Sequence, residues 1–140
     1  MSEVTEEKTE LVLPSRIESI EEAATKAAQI ATRSGMDEAA LFSIDMAVRE
    51  AVANAVKHGN KLDETKNVIV CFLSSAEAFE ITVRDQGSGF DPNAVPDPTN
   101  PENLLKASGR GIFFMRNFMD EVEWMQHSEG GTLVRLAKRR

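Results

Sequence analysis

The chain has 140 residues, 41% hydrophobic and 28% charged, with a formal net charge of −7 at pH 7. That length suits one domain around one core; no apolar run approaches the roughly 20 residues of a membrane span, and the first ten residues lack the apolar centre of a secretory signal, so a cytoplasmic location is expected. The acidic balance disfavours nucleic acid and anionic membranes as direct partners, and the short run Lys138-Arg139-Arg140 is too small to reverse it.

Residues Met1 to Glu10 are polar and charged and read as a flexible tail, leaving one domain over residues 11–140. Leu11-Val12-Leu13 suggests a short strand ended by Pro14. Ser15-x-x-Glu18 has the form of a capping box, in which the serine side chain satisfies a backbone N–H and the glutamate reaches back. Ile17, Ile20, Ala24, Ala27 and Ala31 then recur at helical spacing as far as Gly35, and the alanines allow a neighbouring helix to come close. A second helix opens at Asp37, a good N-cap, and runs to His58, where Gly59 can stop it in the left-handed conformation. Along it Leu41, Ile44, Val48, Ala51, Val52 and Ala55 gather on one side, and Glu50, Asn54 and His58 recur at four-residue steps on another. By itself such a polar stripe is ordinarily a solvated helix face.

Beyond the polar loop Lys61 to Lys66 the period changes to two. Val68 to Leu73 and Phe79 to Arg84 read as two strands of a hairpin, of which only the second alternates apolar with polar. Cys71, the single cysteine, lies in the apolar run and reads as a buried thiol rather than a nucleophile or metal ligand. Asp85-Gln86-Gly87-Ser88-Gly89 follows at the strand end, where glycines let a ligand approach the backbone and an aspartate can accept a hydrogen bond from an amino group. Asp91 to Ser108 holds four of the five prolines and no clear periodicity, the marks of a binding loop or lid. Gly109-Arg110-Gly111 opens a third helix over Ile112 to Met119, and its unpaired N–H groups would attract phosphate. Val122, Trp124 and Met125 belong to a strand, Ser128 to Gly131 to a turn, and Thr132 to Leu136 to the last strand. The expected fold is α+β, a two-layer sandwich with a mostly antiparallel or mixed sheet and helices on one face.

Each of these glycine and carboxylate segments is weak evidence alone. Together, in this order, Glu50-x-x-x-Asn54-x-x-x-His58-Gly59-Asn60, Asp85-x-Gly87-x-Gly89, Gly109-Arg110-Gly111 and Gly130-Gly131-Thr132 resemble the nucleotide-binding boxes of the GHKL ATPases over about Leu41 to Leu136. Within that superfamily the short chain, the end of the lid and Phe118-Met119-Asp120-Glu121-Val122 are similar to the bacterial anti-sigma-factor serine kinases. The resemblance implies that Asn54 holds Mg²⁺ against the phosphates of ATP and that Asp85 accepts from the adenine amino group. It further implies that Gly87 and Gly89 admit the nucleotide, that Gly109, Arg110 and Gly111 wrap its phosphates, and that the Thr132 hydroxyl helps close the adenine pocket. Glu50 would be the general base toward a serine or threonine hydroxyl, with His58 orienting or capping. Implied partners are a sigma factor, an anti-anti-sigma protein of the STAS type and a second copy of the chain in a homodimer. Histidine kinases carry their phosphoacceptor on a helical hairpin before such a domain; with only His58 and His127 present, autophosphorylation on histidine is not expected. The competing expectations are a nucleotide-binding interaction module without phosphoryl transfer, and a helix-on-sheet adaptor without nucleotide.

Overall fold

A computed structural model of the chain describes residues 7–87, 111–128 and 130–140. Its elements run β1 (Glu7–Pro14), α1 (Glu18–Arg33), α2 (Glu38–Asn54), a π-helical turn (Ala55–Gly59), β2 (Asn67–Ser74), β3 (Ala78–Arg84), α3 (Gly111–Phe118), β4 (Glu121–Gln126) and β5 (Thr132–Arg139). The five strands form one sheet in the order β1-β2-β3-β5-β4, and every described pairing is antiparallel. This is the expected α+β sandwich.

The core lies between one sheet face and the helices. Leu13, Val68, Val70, Phe72, Phe79, Ile81, Val83, Val134 and Leu136 project from the strands onto Ile30, Ile44, Val48, Val52, Val56, Met115 and Met119, all buried. Burying side chains of that size supplies roughly 1.5–3 kcal/mol each, which makes this layer the main source of stability. Ala23, Ala24, Ala27 and Ala31 of α1 are buried as well, so small side chains fill the seam where α1 meets α2. Phe42 of α2 meets Phe118 of α3 edge-to-face at 5.6 Å between ring centroids.

Several local readings change. The first strand starts at Glu7, four residues before Leu11, because residues 7–10 pair with Cys71 to Ser74; this part of the expected tail is sheet. Ser15 does not cap α1. It is fully buried and donates instead to the Lys66 carbonyl at 2.7 Å, while Ser19 Oγ donates to the Pro14 carbonyl at 2.6 Å and Ile17 stands exposed at the helix entry. The long-range partner wins because a buried hydroxyl must be satisfied wherever it lies. Gly35 does end α1, at φ +87°, with Met36 N–H on Ala31 O and Gly35 N–H on Thr32 O, the paired bonds of a Schellman stop. Asp37 caps α2 by accepting from Ala40 N–H at 2.8 Å.

β2 also alternates, with Val68, Val70, Phe72 and Ser74 inward and Ile69, Cys71 and Leu73 half-buried on the open face. Cys71 is therefore not a core thiol; its sulfur lies 3.5 Å from Glu10 Oε2, and partial burial pushes its pKa up, which keeps it protonated and unreactive. The expected lid, Asp91 to Ser108, lies outside the described residues.

Arg140, just past β5, clasps two segments. Its guanidinium donates to Ser75 O at 2.7 Å, Ser34 O at 2.7 Å and Ser74 Oγ at 3.1 Å, tying the β2–β3 turn to the end of α1. Arg140→Ala is expected to lower the unfolding free energy by about 1–2 kcal/mol, read as a lower urea midpoint at unchanged slope. An unchanged midpoint would show that water replaces these bonds at no cost.

Candidate functional site

The site is built where the end of α2 meets the end of β3. Glu50 and Asn54 stand one turn apart on the same face of α2, both half-buried. Arg49, between Glu50 and the core face, is drawn the other way: its guanidinium donates to Glu21 of α1 at 2.6 Å and to Asp45 one turn earlier at 3.0 Å. Its charge is spent on that side, and these pairings raise its pKa, the Glu21 bond most. Glu50 is thus left without a competing ion pair from its neighbour.

The α-helical spacing stops at Asn54. Over Ala55–Gly59 the helix widens to a π turn, closed by Asn60 N–H on Ala55 O at 2.8 Å and followed by Leu62 N–H on Val56 O at 2.8 Å. Such turns are uncommon and often mark functional sites. The extra residue turns Lys57 and His58 out to solvent and Asn60 inward, so His58 does not continue the stripe of Glu50 and Asn54. Gly59 does not stop the helix in the left-handed region either; Lys61 and Leu62 take that conformation, at φ 53° and 59°. Gly59 is required for a different reason. A methyl group there would overlap Asp85 Oδ2, and one on Gly87 would overlap the Gly59 carbonyl. Helix end and strand end are in backbone contact.

Asp85 is the centre of this contact, only 6% exposed. Its Oδ1 accepts from Gly87 N–H and Thr132 N–H, each at 3.1 Å, and its own N–H donates to Thr132 O at 3.0 Å, which extends the β3–β5 ladder by one rung. Both described donors fall on Oδ1, leaving Oδ2 beside Gly59 available to accept. Gly131, at φ +88°, passes so close that a side chain would overlap the Asp85 carbonyl. Burial raises the Asp85 pKa above its ordinary value and outweighs the opposing Thr132 and Gly87 bonds.

Of the residues read from the sequence, the fold joins Asp85, Gly87 and Thr132 in one cluster, with Glu50 and Asn54 on the helix that leads into it. Thr132 enters this cluster through its backbone, where the reading had relied on its hydroxyl. Gly111 is the first residue of α3, which packs on α2. Gly89, Gly109 and Arg110 lie outside the described residues. Asn60, the last residue of the first box, has no role in the sequence reading and is buried beside this cluster.

Residues 13–138 match the family of the histidine kinase-like ATPase domain. The chain belongs to that family. It is 28% identical to the serine-protein kinase RsbW of Listeria monocytogenes over 134 residues, which covers 91% of this chain and 85% of that one. It is 41% identical over 96 residues to the anti-sigma F factor of Heyndrickxia coagulans, covering 65% of this chain and 64% of the relative. Among solved structures it resembles the RsbU and RsbW domains of a Mycobacterium tuberculosis protein, with a TM-score of 0.69 and 20% identity; 95% of this chain is covered but only 32% of that longer one. The resemblance to the GHKL ATPases, drawn from the four boxes, and within them to the anti-sigma kinases, drawn from the lid end and Phe118 to Val122, is borne out.

The donor set fits a magnesium nucleotide. Among the described residues there is no group of three or more His, Cys, Asp or Glu side chains able to cage a metal. A neutral carboxamide such as Asn54 suits a hard cation that keeps most of its coordination for phosphate and water. No described helix is long and apolar enough to cross a membrane.

The buried carboxylate has a measurable cost. Because the Asp85 pKa is higher in the folded than in the unfolded chain, the ionised form is the one the fold disfavours. The penalty is absent below the unfolded value near 3.8, grows as pH rises, and is complete above the raised folded value. Asp85→Asn is therefore expected to raise the melting temperature of the nucleotide-free protein at pH 7 and to change it less near pH 4. A variant that melts lower at pH 7 would mean that the carboxylate is net stabilising.

Proposed function

We propose that this chain is an ATP-dependent serine/threonine protein kinase and anti-sigma regulatory factor, which phosphorylates an anti-anti-sigma protein of the STAS type and sequesters a sigma factor. The observation that carries the reading is the join between α2 and Asp85: a helix bearing a carboxylate and a carboxamide one turn apart ends in backbone contact with a buried aspartate. Its relatives' names, a serine-protein kinase and an anti-sigma factor, support the same reading.

In this proposal Asp85 Oδ2 accepts from the adenine amino group, a donor that guanine does not offer at that place. Gly59 and Gly87 carry no side chain, so none stands between the base and the carboxylate. Asn54 is the protein ligand of Mg²⁺, with Gly109, Arg110 and Gly111 on the phosphates, Gly89 beside them and Thr132 at the adenine edge. When bound, the cation would neutralise developing charge on the transferring phosphoryl group. Glu50, one turn before Asn54, takes the proton from the attacking serine or threonine hydroxyl, and the half-buried helix face holds that carboxylate in place. The protein would act in the cytoplasm, as a homodimer.

Glu50→Gln keeps the side chain's shape and removes its basicity. Phosphoryl transfer to the anti-anti-sigma protein is expected to fall roughly 10²–10⁴-fold, while ATP affinity stays within about three-fold of the wild type, since a change of that size needs well under 1.4 kcal/mol. Radiolabel transfer and calorimetry on the same preparation separate the two. Transfer at the wild-type rate would remove Glu50 from the role of base. Absence of transfer by the wild type itself, with ATP bound, would favour a nucleotide-binding interaction module.

Asn54→Ala should make nucleotide affinity indifferent to Mg²⁺, because the cation loses its protein oxygen. If calorimetry finds the same Mg²⁺ dependence in variant and wild type, the cation is held elsewhere.

A further inference from the structure

We propose that Asn60 is a positioning residue for base recognition, a buried carboxamide that sets the place of the Asp85–Gly87 strand end and so the preference of the site for adenine. The inference rests on the reading of Asp85 as the group that meets the base.

Asn60 is 1% exposed and makes three side-chain hydrogen bonds. Its Oδ1 accepts from Gln86 N–H at 2.8 Å; its Nδ2 donates to Ser15 Oγ at 2.7 Å and to Asn67 O at 2.9 Å. The partners fix which way the amide faces, because a backbone N–H can only donate and a carbonyl can only accept. Ser15 Oγ passes its own proton on to Lys66 O. Gln86 closes the circuit from the other side, its Oε1 accepting from Asn67 N–H at 2.6 Å. One side chain thus ties the β1–α1 turn, the start of β2, the π turn and the residue after Asp85.

Asn60 neighbours Gly59, and Gln86 lies between Asp85 and Gly87. The Asn60–Gln86 bond therefore holds the two backbones whose overlap-free contact encloses the Asp85 carboxylate. Gly59 offers that contact only van der Waals surface, so the polar restraint comes from the next residue. Recognition of a base edge by one carboxylate oxygen demands placement to within about half an ångström, and a clamp with several satisfied arms is the kind of support that provides it. A residue that merely stabilised the fold would, on removal, lower the melting temperature and leave the ratio of ATP to GTP affinity alone. A positioning residue changes that ratio.

The test measures ATP, ADP and GTP affinities of the full chain and of four variants by calorimetry. Asn60→Leu keeps the branched shape and removes every polar arm; its preference for ATP over GTP should fall about ten-fold or more, a change of one decade in relative Kd. ATP and ADP should weaken together, because the phosphate contacts are untouched. Asn60→Asp retains an acceptor for Gln86 N–H and should keep more of the preference than Asn60→Leu does. Asp85→Asn is the control and should abolish the preference. If it does, and folded Asn60→Leu still discriminates as the wild type does, the inference is overturned. If Asp85→Asn leaves the preference intact, the reading of Asp85 fails and this inference falls with it. Should Asn60→Leu not fold, Ser15→Ala removes one arm at less cost; a several-fold loss of preference supports the clamp, and an unchanged preference overturns it.

Discussion

The fold depends at its functional end on a single close approach, the contact of Gly59 with the buried carboxylate of Asp85. Residues at both sides are constrained by it. Gly59 and Gly87 can carry no side chain, Gly131 must pass close to the Asp85 carbonyl in a left-handed conformation, and the helix before Gly59 must widen by one residue to deliver it. A π turn loses regular hydrogen-bond geometry, and an aspartate so enclosed loses hydration; neither helps stability. Features that cost stability and persist together are the ordinary mark of a site.

The remainder of the molecule holds this contact still. α1 and α2 pack through alanines and are pinned at the surface by Arg49, which bridges Glu21 and Asp45, and at the loop by Asp37 and Gly35. Arg140 ties the far end of the β2–β3 hairpin to the end of α1. Exposed ion pairs contribute little individually, so the weight falls on the buried layer of Phe72, Phe79, Ile81 and Leu136 against the helices. The consequence for function is a rigid α2, on which Glu50 and Asn54 keep their separation.

The two faces of the sheet are built by different chemistry. The helix side is apolar along the middle of the strands, and its buried polar groups, Ser15, Ser19, Asn60, Ser74 and Asp85, lie at the ends of the elements. The open side carries a charge ladder in which Arg135 of β5 meets Glu80 of β3 and both Glu121 and Glu123 of β4, next to half-buried Ile69, Cys71 and Leu73. Cross-strand pairs of opposite charge favour this register of β5 between β3 and β4.

The elements of this protein were legible in its sequence because they follow local rules. Hydrophobic period separated α2 from β3, Asp37 and Gly35 announced their caps, and the boxes around Asn54, Asp85 and Gly131 identified the family, since each needs a residue type that its neighbours in sequence make recognisable. What local rules could not supply was any partner chosen across the fold. Ser15 read as a helix cap and became a donor to Lys66; Glu7 to Glu10 read as tail and became strand because Cys71 to Ser74 offered an open edge; His58 read as part of a stripe and was turned outward by a π turn. Gly59 illustrates the difference best. Sequence alone reads it as a left-handed helix stop, and only the tertiary structure supplied the actual reason for glycine, because the atom that excludes a side chain there belongs to Asp85, which lies far away along the chain and adjacent in space.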